Sequence, residues 1–240
     1  MAPASRRSSA REPMHQHPTP TRSRTVTAHR LEHMLLGPAT TPAEVDDACA
    51  GAVEAGLAAI AVRLGWAAHA LAATGGSPVR VVVALARPDD AEPAIAAGAR
   101  HLAVILQAGR LLGDGAALGA ELGALAHLAH AGGVHLRAVL PLDLDDDELA
   151  AAGRLATEAG ADELQTGSGL DGVAGAGQVL AVRAAVTPRH RDRPVVAAGG
   201  PKAVTVVALL AAGAERVALA DPAAILRDVG PLAGFEGLVV

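Results

Sequence analysis

The sequence predicts an α/β protein in which eight parallel strands alternate with helices and close into a (β/α)8 TIM barrel. Short apolar runs rich in β-branched residues recur along the chain and alternate with alanine-rich stretches of helical length. The runs are continuously apolar, as strands are when both faces of a parallel sheet are covered. Eight such units in about 210 residues fit a compact barrel better than an open sheet.

The candidate strands are six clear apolar runs and two weaker ones. In chain order they are residues 31–36, 58–62, 79–84, 102–106, 134–140, 163–166, 195–198 and 217–220, of which the first and the sixth are the weaker. No GxGxxG spacing follows a first strand, and the glycines at Gly167, Gly169, Gly172 and Gly175 do not have that spacing either. The sequence therefore gives no sign of a dinucleotide, and we predict no cofactor.

Helix boundary signals support the same alternation. Thr41 and Glu44 form a predicted capping box with Pro42 at the first helical position. Three consecutive aspartates at 145–147 place negative charge where a helix dipole favours it. Glycines stand where a helix is expected to end just before a strand, at Gly56, Gly98, Gly160 and Gly213.

Composition excludes several classes of function. Hydrophobic residues make up 51% of the chain, which is enough for a large core, and the formal net charge of −5 leaves no basic surplus for a nucleic acid. Trp66 and Phe235 are the only aromatic residues, so base stacking is not expected. Cys49 is the only cysteine, and no apolar run is long enough to span a bilayer. We expect a cytoplasmic protein that binds neither nucleic acid nor membrane.

The first 30 residues differ from the rest of the chain. They contain six arginines against a single glutamate, among prolines, serines and histidines, and they show no hydrophobic periodicity. We interpret residues 1–30 as a disordered basic tail and residues 31–240 as the barrel domain. A transit peptide and a start codon assigned too early are the alternatives that we considered for the tail.

Several segments, in order and at matching spacing, resemble motifs of the deoxyribose-phosphate aldolase family. Residues 32–40 (EHMLLGPAT) are similar to DHTLLKPxAT, and residues 159–170 (AGADELQTGSGL) are similar to AGADFVKTSTGF. Further matches are Cys49, residues 98–111, residues 136–140, residues 196–202 and residues 213–217. The resemblance covers residues 31–228.

The resemblance implies a class I aldolase that forms a Schiff base through a lysine, assisted by a second lysine and an aspartate. At the matching positions this sequence has Gln165, Val196 and Ala103 instead, and Arg137 replaces a further lysine. An imine needs an amine that can lose its proton, whereas an amide is not nucleophilic and arginine stays protonated. We therefore predict no catalytic residues of the family type. Lys202 is the only lysine in the sequence, and it is interpreted as a solvated loop residue or as a relocated nucleophile.

The phosphate site implied by the family is altered as well. Gly199 and Gly200 remain after the seventh strand, and with Lys202 they are our candidates for an anion-binding loop. After the eighth strand, however, the family's pair of serines is replaced by Ala220 and Asp221. A carboxylate there would repel phosphate, and we expect Asp221 to cap its own helix.

Five polar side chains are candidates for a pocket inside the barrel. They are Glu32, Arg63, Gln107, Arg137 and Gln165. One interpretation is a buried network of ion pairs and amides, in which Glu32 pairs with Arg63 or Arg137 and fills the space of the lost site. The other interpretation is a site for a carboxylate or another planar anion, held by the arginine forks.

The histidines do not predict a metal site. His127, His130 and His135 have suggestive spacing, but they lie where a helix ends and the fifth strand begins. That position is at the face opposite to the usual active site of such barrels. We interpret them as surface residues and predict no bound metal.

Two classes of function remain open, and we prefer the first. The first is a catalytically silent homologue of the aldolases that binds a small anion or a protein partner, with a homodimer expected by analogy with the family. The second is an enzyme repurposed to a reaction without an imine, using Glu32, Arg63, Arg137 or Gln165. An ordinary deoxyribose-phosphate aldolase is the third and least favoured interpretation.

Overall fold

The computed structural model describes residues 28–186 and 193–228. Within these ranges eight parallel strands form a closed barrel in sequential order, and β8 pairs with β1. The strands are β1 (Leu31–Leu35), β2 (Ala59–Arg63), β3 (Arg80–Leu85), β4 (His101–Ile105), β5 (His135–Leu140), β6 (Glu163–Thr166), β7 (Val195–Ala198) and β8 (Arg216–Leu219). The predicted TIM barrel is confirmed, and β6 and β7 have the predicted bounds.

Helices follow each strand in the described part of the chain. They are α1 (Pro42–Ala55), α2 (Ala67–Ala73), α3 (Ala91–Ala96), α4 (Ala108–Gly113), α5 (Gly115–Ala131), α6 (Asp146–Glu158), α7 (Ala176–Ala185), α8 (Ala203–Ala211) and α9 (Pro222–Asp228). The capping box at Thr41 is present, since its hydroxyl accepts from the Glu44 amide. Asp145 caps α6 in the same way with Glu148, and the acidic first turn follows it.

The barrel begins slightly before the predicted domain boundary. Residues 28–30 were assigned to the tail, yet Ala28 is buried in the core. The guanidinium of Arg30 donates hydrogen bonds to the carbonyls of Ala214 and Glu215. The rest of the predicted tail, residues 1–27, lies outside the described residues.

The apolar core has two parts. The larger part lies between the strands and the surrounding helices. The smaller part lies inside the barrel and consists mainly of short side chains: Ala59, Ala61, Val82, Ala103 and Val139, with Leu36. Because side chains alternate across each strand, every second residue points inward, and small residues here leave room for longer ones. The barrel interior therefore has space for extended polar side chains from other strands.

No helix in the described ranges is both long enough and apolar enough to cross a membrane.

Candidate functional site

A buried ion pair crosses the inside of the barrel. The Glu32 side chain on β1 is fully buried, and Arg137 on β5 is only 4% exposed. Arg137 donates from Nη1 to Oε2 of Glu32 at 2.7 Å and from Nη2 to Oε1 at 3.0 Å. This bidentate geometry is the strongest arrangement of an arginine on a carboxylate. Of the two partners offered for Glu32 by the sequence, the structure brings Arg137 to it.

Two further charged residues complete the network. Arg216, at the start of β8, donates from Nε to Oε1 of Glu32 at 2.6 Å. Glu163, at the start of β6, accepts hydrogen bonds from both Arg137 and Arg216. The four residues carry two positive and two negative charges, so the network is neutral. Such balance is what makes buried charges tolerable inside a protein.

The network perturbs the ionisation of its members. Burial alone would raise the pKa of Glu32, but the charges and hydrogen bonds of Arg137 and Arg216 outweigh burial and lower it to about 2. The pKa of Arg216 is lowered, chiefly by its burial, while the charge of Glu32 opposes that shift. Glu32 is therefore a permanent carboxylate at neutral pH, unable to act as a proton donor.

Gln165 on β6 is held by two hydrogen bonds, one at each end of its side-chain amide. Its Oε1 accepts from Nη1 of Arg137 at 2.8 Å, and its Nε2 donates to the carbonyl of Gly167 at 2.7 Å. The side chain is 4% exposed. Both ends of the amide are therefore used to extend the ionic network toward the carboxyl ends of the strands.

The mouth of the barrel, where the strands end, is almost filled. Its cavity measures about 10 Å³ and is lined mostly by apolar side chains, with Arg137, Gln165 and Ser168 as the polar members. The Ser168 hydroxyl donates to Asp171 at 2.6 Å, which makes it part of a loop turn. The mouth is thus too small in this conformation to hold a sugar phosphate, since ligand pockets usually exceed roughly 300 Å³.

Two of the predicted pocket residues lie elsewhere. Arg63 ends β2, is exposed, and donates from Nε to the carbonyl of Leu36 at 2.6 Å. Gln107 is exposed at the start of α4 and lines a separate groove of about 130 Å³ together with Arg110 and Glu121. The structure does not bring either residue to Glu32. Arg63 ends β2, four residues beyond Ala59, which is the residue paired with Glu32. Gln107 lies beyond the end of β4.

A larger cavity than the one at the mouth lies at the opposite end of the barrel, where the strands begin. We call it the amino-end cavity, and its volume is about 480 Å³. The polar residues that line it are Arg80, His101, His135, Arg137, Asp162, Glu163, Arg193 and Arg216. The rings of His101 and His135 stack there with centroids 5.1 Å apart and planes 13° from parallel. Arg137 lines this cavity as well as the mouth.

The histidines lie at this end, as expected. His130 contacts Asp162, with its Nε2 2.9 Å from the carboxylate. His127 is exposed on α5. In the described part of the chain no three His, Cys, Asp or Glu side chains are grouped as metal ligands.

Comparison with known proteins identifies the family. No family model matches the chain. A deoxyribose-phosphate aldolase from Mycobacterium tuberculosis is 33% identical over 218 residues, covering 85% of this chain and 96% of the relative. One from Streptococcus suis is 30% identical over 210 residues, covering 82% and 94%.

This chain belongs to the deoxyribose-phosphate aldolase family. A solved structure from Coccidioides immitis, assigned as a deoxyribose-phosphate aldolase, superposes with a TM-score of 0.79 at 25% identity and covers 85% of this chain and 86% of that one. The deoxyribose phosphate aldolase of Aeropyrum pernix has the same fold, with a TM-score of 0.75 at 21% identity over 92% of this chain and 94% of its own.

The positions that the resemblance assigns to aldolase chemistry are buried within this family member. Ala103 and Val196 have no titratable group and are 5% and 0% exposed. Gln165 is fixed by the contacts described above. No lysine is present on any strand of the barrel.

The candidate anion loop of this aldolase homologue is held close to β8. The Gly199 amide donates to the carbonyl of Ala218 at 2.8 Å, so it is already used. Lys202 is exposed and stands at the start of α8. Asp221 accepts from the amide of Ala224 at 2.9 Å, which is the helix cap that the sequence predicts.

Glu163, Arg216 and Arg80 are the polar residues that the sequence reasoning missed. A signal was available, because Glu163 is two residues before Gln165 and Arg216 is two residues before Ala218, so each shares the strand face of an inward residue. A glutamate or arginine at the start of a strand resembles a surface residue. Its inward direction becomes clear only when the alternation of side chains is traced back to the first residue of the strand.

Proposed function

We propose that this member of the deoxyribose-phosphate aldolase family does not cleave carbon–carbon bonds through a Schiff base and acts as a binding protein. The observation that carries the proposal is Gln165. It occupies the position that the resemblance gives to the nucleophilic lysine, and both ends of its amide are hydrogen-bonded. An amide in that state offers no lone pair to a carbonyl carbon.

The single lysine supports the same proposal. Lys202 is exposed at the start of α8, beyond the end of β7. A Schiff-base lysine usually needs burial or a neighbouring cation to become a neutral amine at pH 7. The exposure of Lys202 removes the first of these, so Lys202 is a weak candidate for a relocated nucleophile.

The names of the relatives favour an ordinary aldolase, and the residues argue against it. A positioned base or acid typically contributes about 10²–10⁴ to the rate. Val196 and Ala103 supply neither, and Gln165 supplies no nucleophile. Losing all of these together leaves family-type turnover far below a useful rate.

Any anion at the mouth would have to bind at its rim. The Arg137 guanidinium is neutralised by Glu32 and Glu163, so it offers little net attraction inside the barrel. The loop from Gly199 to Lys202, with the first amides of α8, is the remaining candidate for a small anion at this end. A protein partner is the other binding candidate.

We also propose that the protein self-associates as a homodimer. The relative from Aeropyrum pernix is described as a unique tetramer, which shows that self-association occurs on this fold. Light scattering during size-exclusion chromatography tests the proposal. A monomer at tens of micromolar would contradict it.

Borohydride trapping tests the catalytic part of the proposal. The purified protein is incubated with acetaldehyde or deoxyribose 5-phosphate, reduced with borohydride, and weighed by mass spectrometry, with Lys202→Arg in parallel. We expect no adduct on Lys202 beyond the level of an unrelated exposed lysine, and no release of acetaldehyde from the sugar phosphate. Cleavage that is abolished by altering a residue at the mouth would overturn the proposal.

A further inference from the structure

The amino-end cavity is built by the first residues of five strands. Arg80, His101, His135, Glu163 and Arg216 begin β3, β4, β5, β6 and β8. Because parallel strands start at the same edge, their first inward side chains converge around the barrel axis. Its volume of about 480 Å³ lies within the usual range of small-molecule sites. This end therefore has the room for a ligand that the mouth lacks.

The charges on the wall of this cavity do not balance. Four guanidinium groups line it, from Arg80, Arg137, Arg193 and Arg216, against the carboxylates of Asp162 and Glu163. Arg137 and Arg216 are neutralised by Glu163 together with Glu32. Arg193 is neutralised by Asp162, whose Oδ1 is 2.9 Å from Nη1 of Arg193. Among the arginines that line this cavity, Arg80 is therefore the one without a carboxylate partner in the described part of the chain.

Both carboxylates of this wall already have cationic partners. Asp162 accepts from the Leu136 amide and from Arg193 and contacts His130. Glu163 accepts from two arginines. Because the charge of each carboxylate is already balanced by an arginine, a ligand is expected to meet the unused donors of the wall.

The unused donors belong to arginine forks. Arg80 is half-buried, and its Nε donates a hydrogen bond to the carbonyl of Ala58 at 3.3 Å. Its two terminal nitrogens have no partner among the described residues. Arg216 uses Nε and Nη2, which leaves Nη1. Such forks match the paired oxygens of carboxylates and phosphates.

The stacked histidines report the electrostatic environment of the cavity. Burial lowers the pKa of His101 to about 4, and the charges of Arg80, His135 and Arg137 act in the same direction, while Glu32 opposes them. Burial is the largest cause of this shift and disfavours a charge of either sign, so the sign of the potential comes from the arginines near His101. Arg80 and Arg137 both act against a positive charge at this place, and the same charges favour an anion there. The geometry and the potential thus agree on the sign of the ligand's charge.

We propose that the amino-end cavity binds a small multivalent oxyanion, a phosphate or a polycarboxylate, through Arg80 and Nη1 of Arg216. This site is separate from the mouth and does not depend on the proposed loss of aldolase chemistry. The other charged residues of the wall balance one another: Arg137 and Arg216 pair with Glu32 and Glu163, and Arg193 pairs with Asp162. Arg80 contributes to neither group of ion pairs, and the partner described for this half-buried guanidinium is a carbonyl.

Calorimetric titration with inorganic phosphate and with citrate tests the proposal. Sodium chloride of equal ionic strength corrects for screening, and Arg80→Gln is compared with Arg154→Gln. Arg154 is exposed on α6 and does not line the cavity, so the second variant matches the charge change of the first. We expect saturable binding of at least one probe that weakens about tenfold or more in Arg80→Gln, equal to about 1.4 kcal/mol, and not in Arg154→Gln.

A second readout guards against a folding defect. In wild-type protein saturated with the binding probe, the His101 imidazole should titrate at a higher pH than in the free protein, because a bound anion favours the imidazolium. Arg80→Lys should keep part of the affinity, since it preserves the charge but loses the fork. Binding of citrate alone, of phosphate alone or of both supports the proposal and defines the anion class. The absence of saturable binding to both probes, or equal weakening in Arg80→Gln and Arg154→Gln, overturns it.

Discussion

Arg137 and Glu32 form a bidentate ion pair that spans the barrel from one side to the other. They are 105 residues apart in sequence, and they lie on β5 and β1, which face each other across an eight-stranded barrel. Both contacts, at 2.7 and 3.0 Å, are buried. The pair therefore connects two opposite strands of the barrel through its interior.

Replacing Arg137 with methionine should destabilise the protein strongly. The change leaves Glu32 buried with Arg216 as its remaining cation, and removing one partner of a buried pair typically costs about 3–5 kcal/mol. Adding Glu32→Leu should cost less than the sum of the two single changes, because the second substitution removes the group left unpaired by the first. Urea denaturation of the three variants measures these free energies of unfolding.

A surface ion pair provides the control for this experiment. Arg110 and Glu121 form a short pair between side chains that are both more than 40% exposed. Arg110→Gln should change the free energy of unfolding much less than Arg137→Met does, because solvent screens an exposed ion pair. If Arg137→Met lowered the free energy of unfolding no more than Arg110→Gln, the buried pair would not stabilise the barrel as we predict.

The stability of the protein should fall on acidification, and His101 and Glu32 are two of the groups that contribute to the loss. The folded-state pKa of His101 is lowered to about 4, so the unfolded chain takes up this proton first as the pH falls below about 6.5. Stability is therefore lost between about pH 6.5 and 4. The carboxyl of Glu32 contributes stability above its ordinary pKa, and that contribution is lost as the pH falls toward about 2.

His101→Gln isolates the first of these windows. Urea midpoints at pH 7 and pH 4.5 should differ less in this variant than in the wild type, because the imidazole that binds a proton on unfolding is absent. His127→Gln, on the exposed surface of α5, controls for the loss of a histidine. An unchanged pH dependence in His101→Gln would contradict the assignment of this window to His101.

The barrel could be predicted from the sequence because its signals are local. Most strands lie within apolar runs, and helix starts such as Thr41 carry their own capping residues. These signals require only neighbouring residues along the chain, so β6 and β7 were placed without error. Residues 28–30 were missed because their contacts with Ala214 and Glu215 are distant in sequence.

The candidate site could be predicted only in part. The pairing of Glu32 with Arg137 followed from the rule that buried charges need partners, but Arg63 met that rule equally well. Choosing between them requires the barrel's geometry, which places β5 opposite β1 and Arg63 at the rim. The amino-end cavity was not predicted, because no local pattern shows that Arg80 and Arg216, 136 positions apart by their numbering, line one space.

Gly199 is predicted to be intolerant of a side chain, in contrast to Gly51. A Cβ at position 199 would lie 2.7 Å from Cδ2 of Leu219 and closer still to Cγ1 of Val217, whereas a Cβ at Gly51 on α1 would meet no atom within 4 Å. Gly199→Ala should cost about 1–3 kcal/mol by overpacking. Gly51→Ala should stabilise by roughly 0.5–1 kcal/mol, because alanine is the better helix former. Thermal unfolding of both variants measures these changes in stability. A shift of the midpoint in the same direction for both variants would contradict the prediction.

Restoring the lysine alone should restore a covalent adduct but not the aldolase reaction. In Gln165→Lys the new amine would be buried next to Nη1 of Arg137, which lies 2.8 Å from Oε1 of the glutamine it replaces. Burial and that positive charge both lower the pKa of an amine, so it should be neutral and nucleophilic at pH 8. Borohydride should therefore trap acetaldehyde at position 165.

Turnover of deoxyribose 5-phosphate should remain undetectable in Gln165→Lys. Val196 and Ala103 still supply no second amine and no carboxylate, and the mouth cavity of about 10 Å³ does not admit a sugar phosphate. Gln165→Met, which fills similar space without an amine, should give neither an adduct nor turnover. Efficient cleavage by Gln165→Lys would show that one substitution separates this protein from an active aldolase. A failure to trap even acetaldehyde would contradict the expectation of an accessible and neutral amine at position 165.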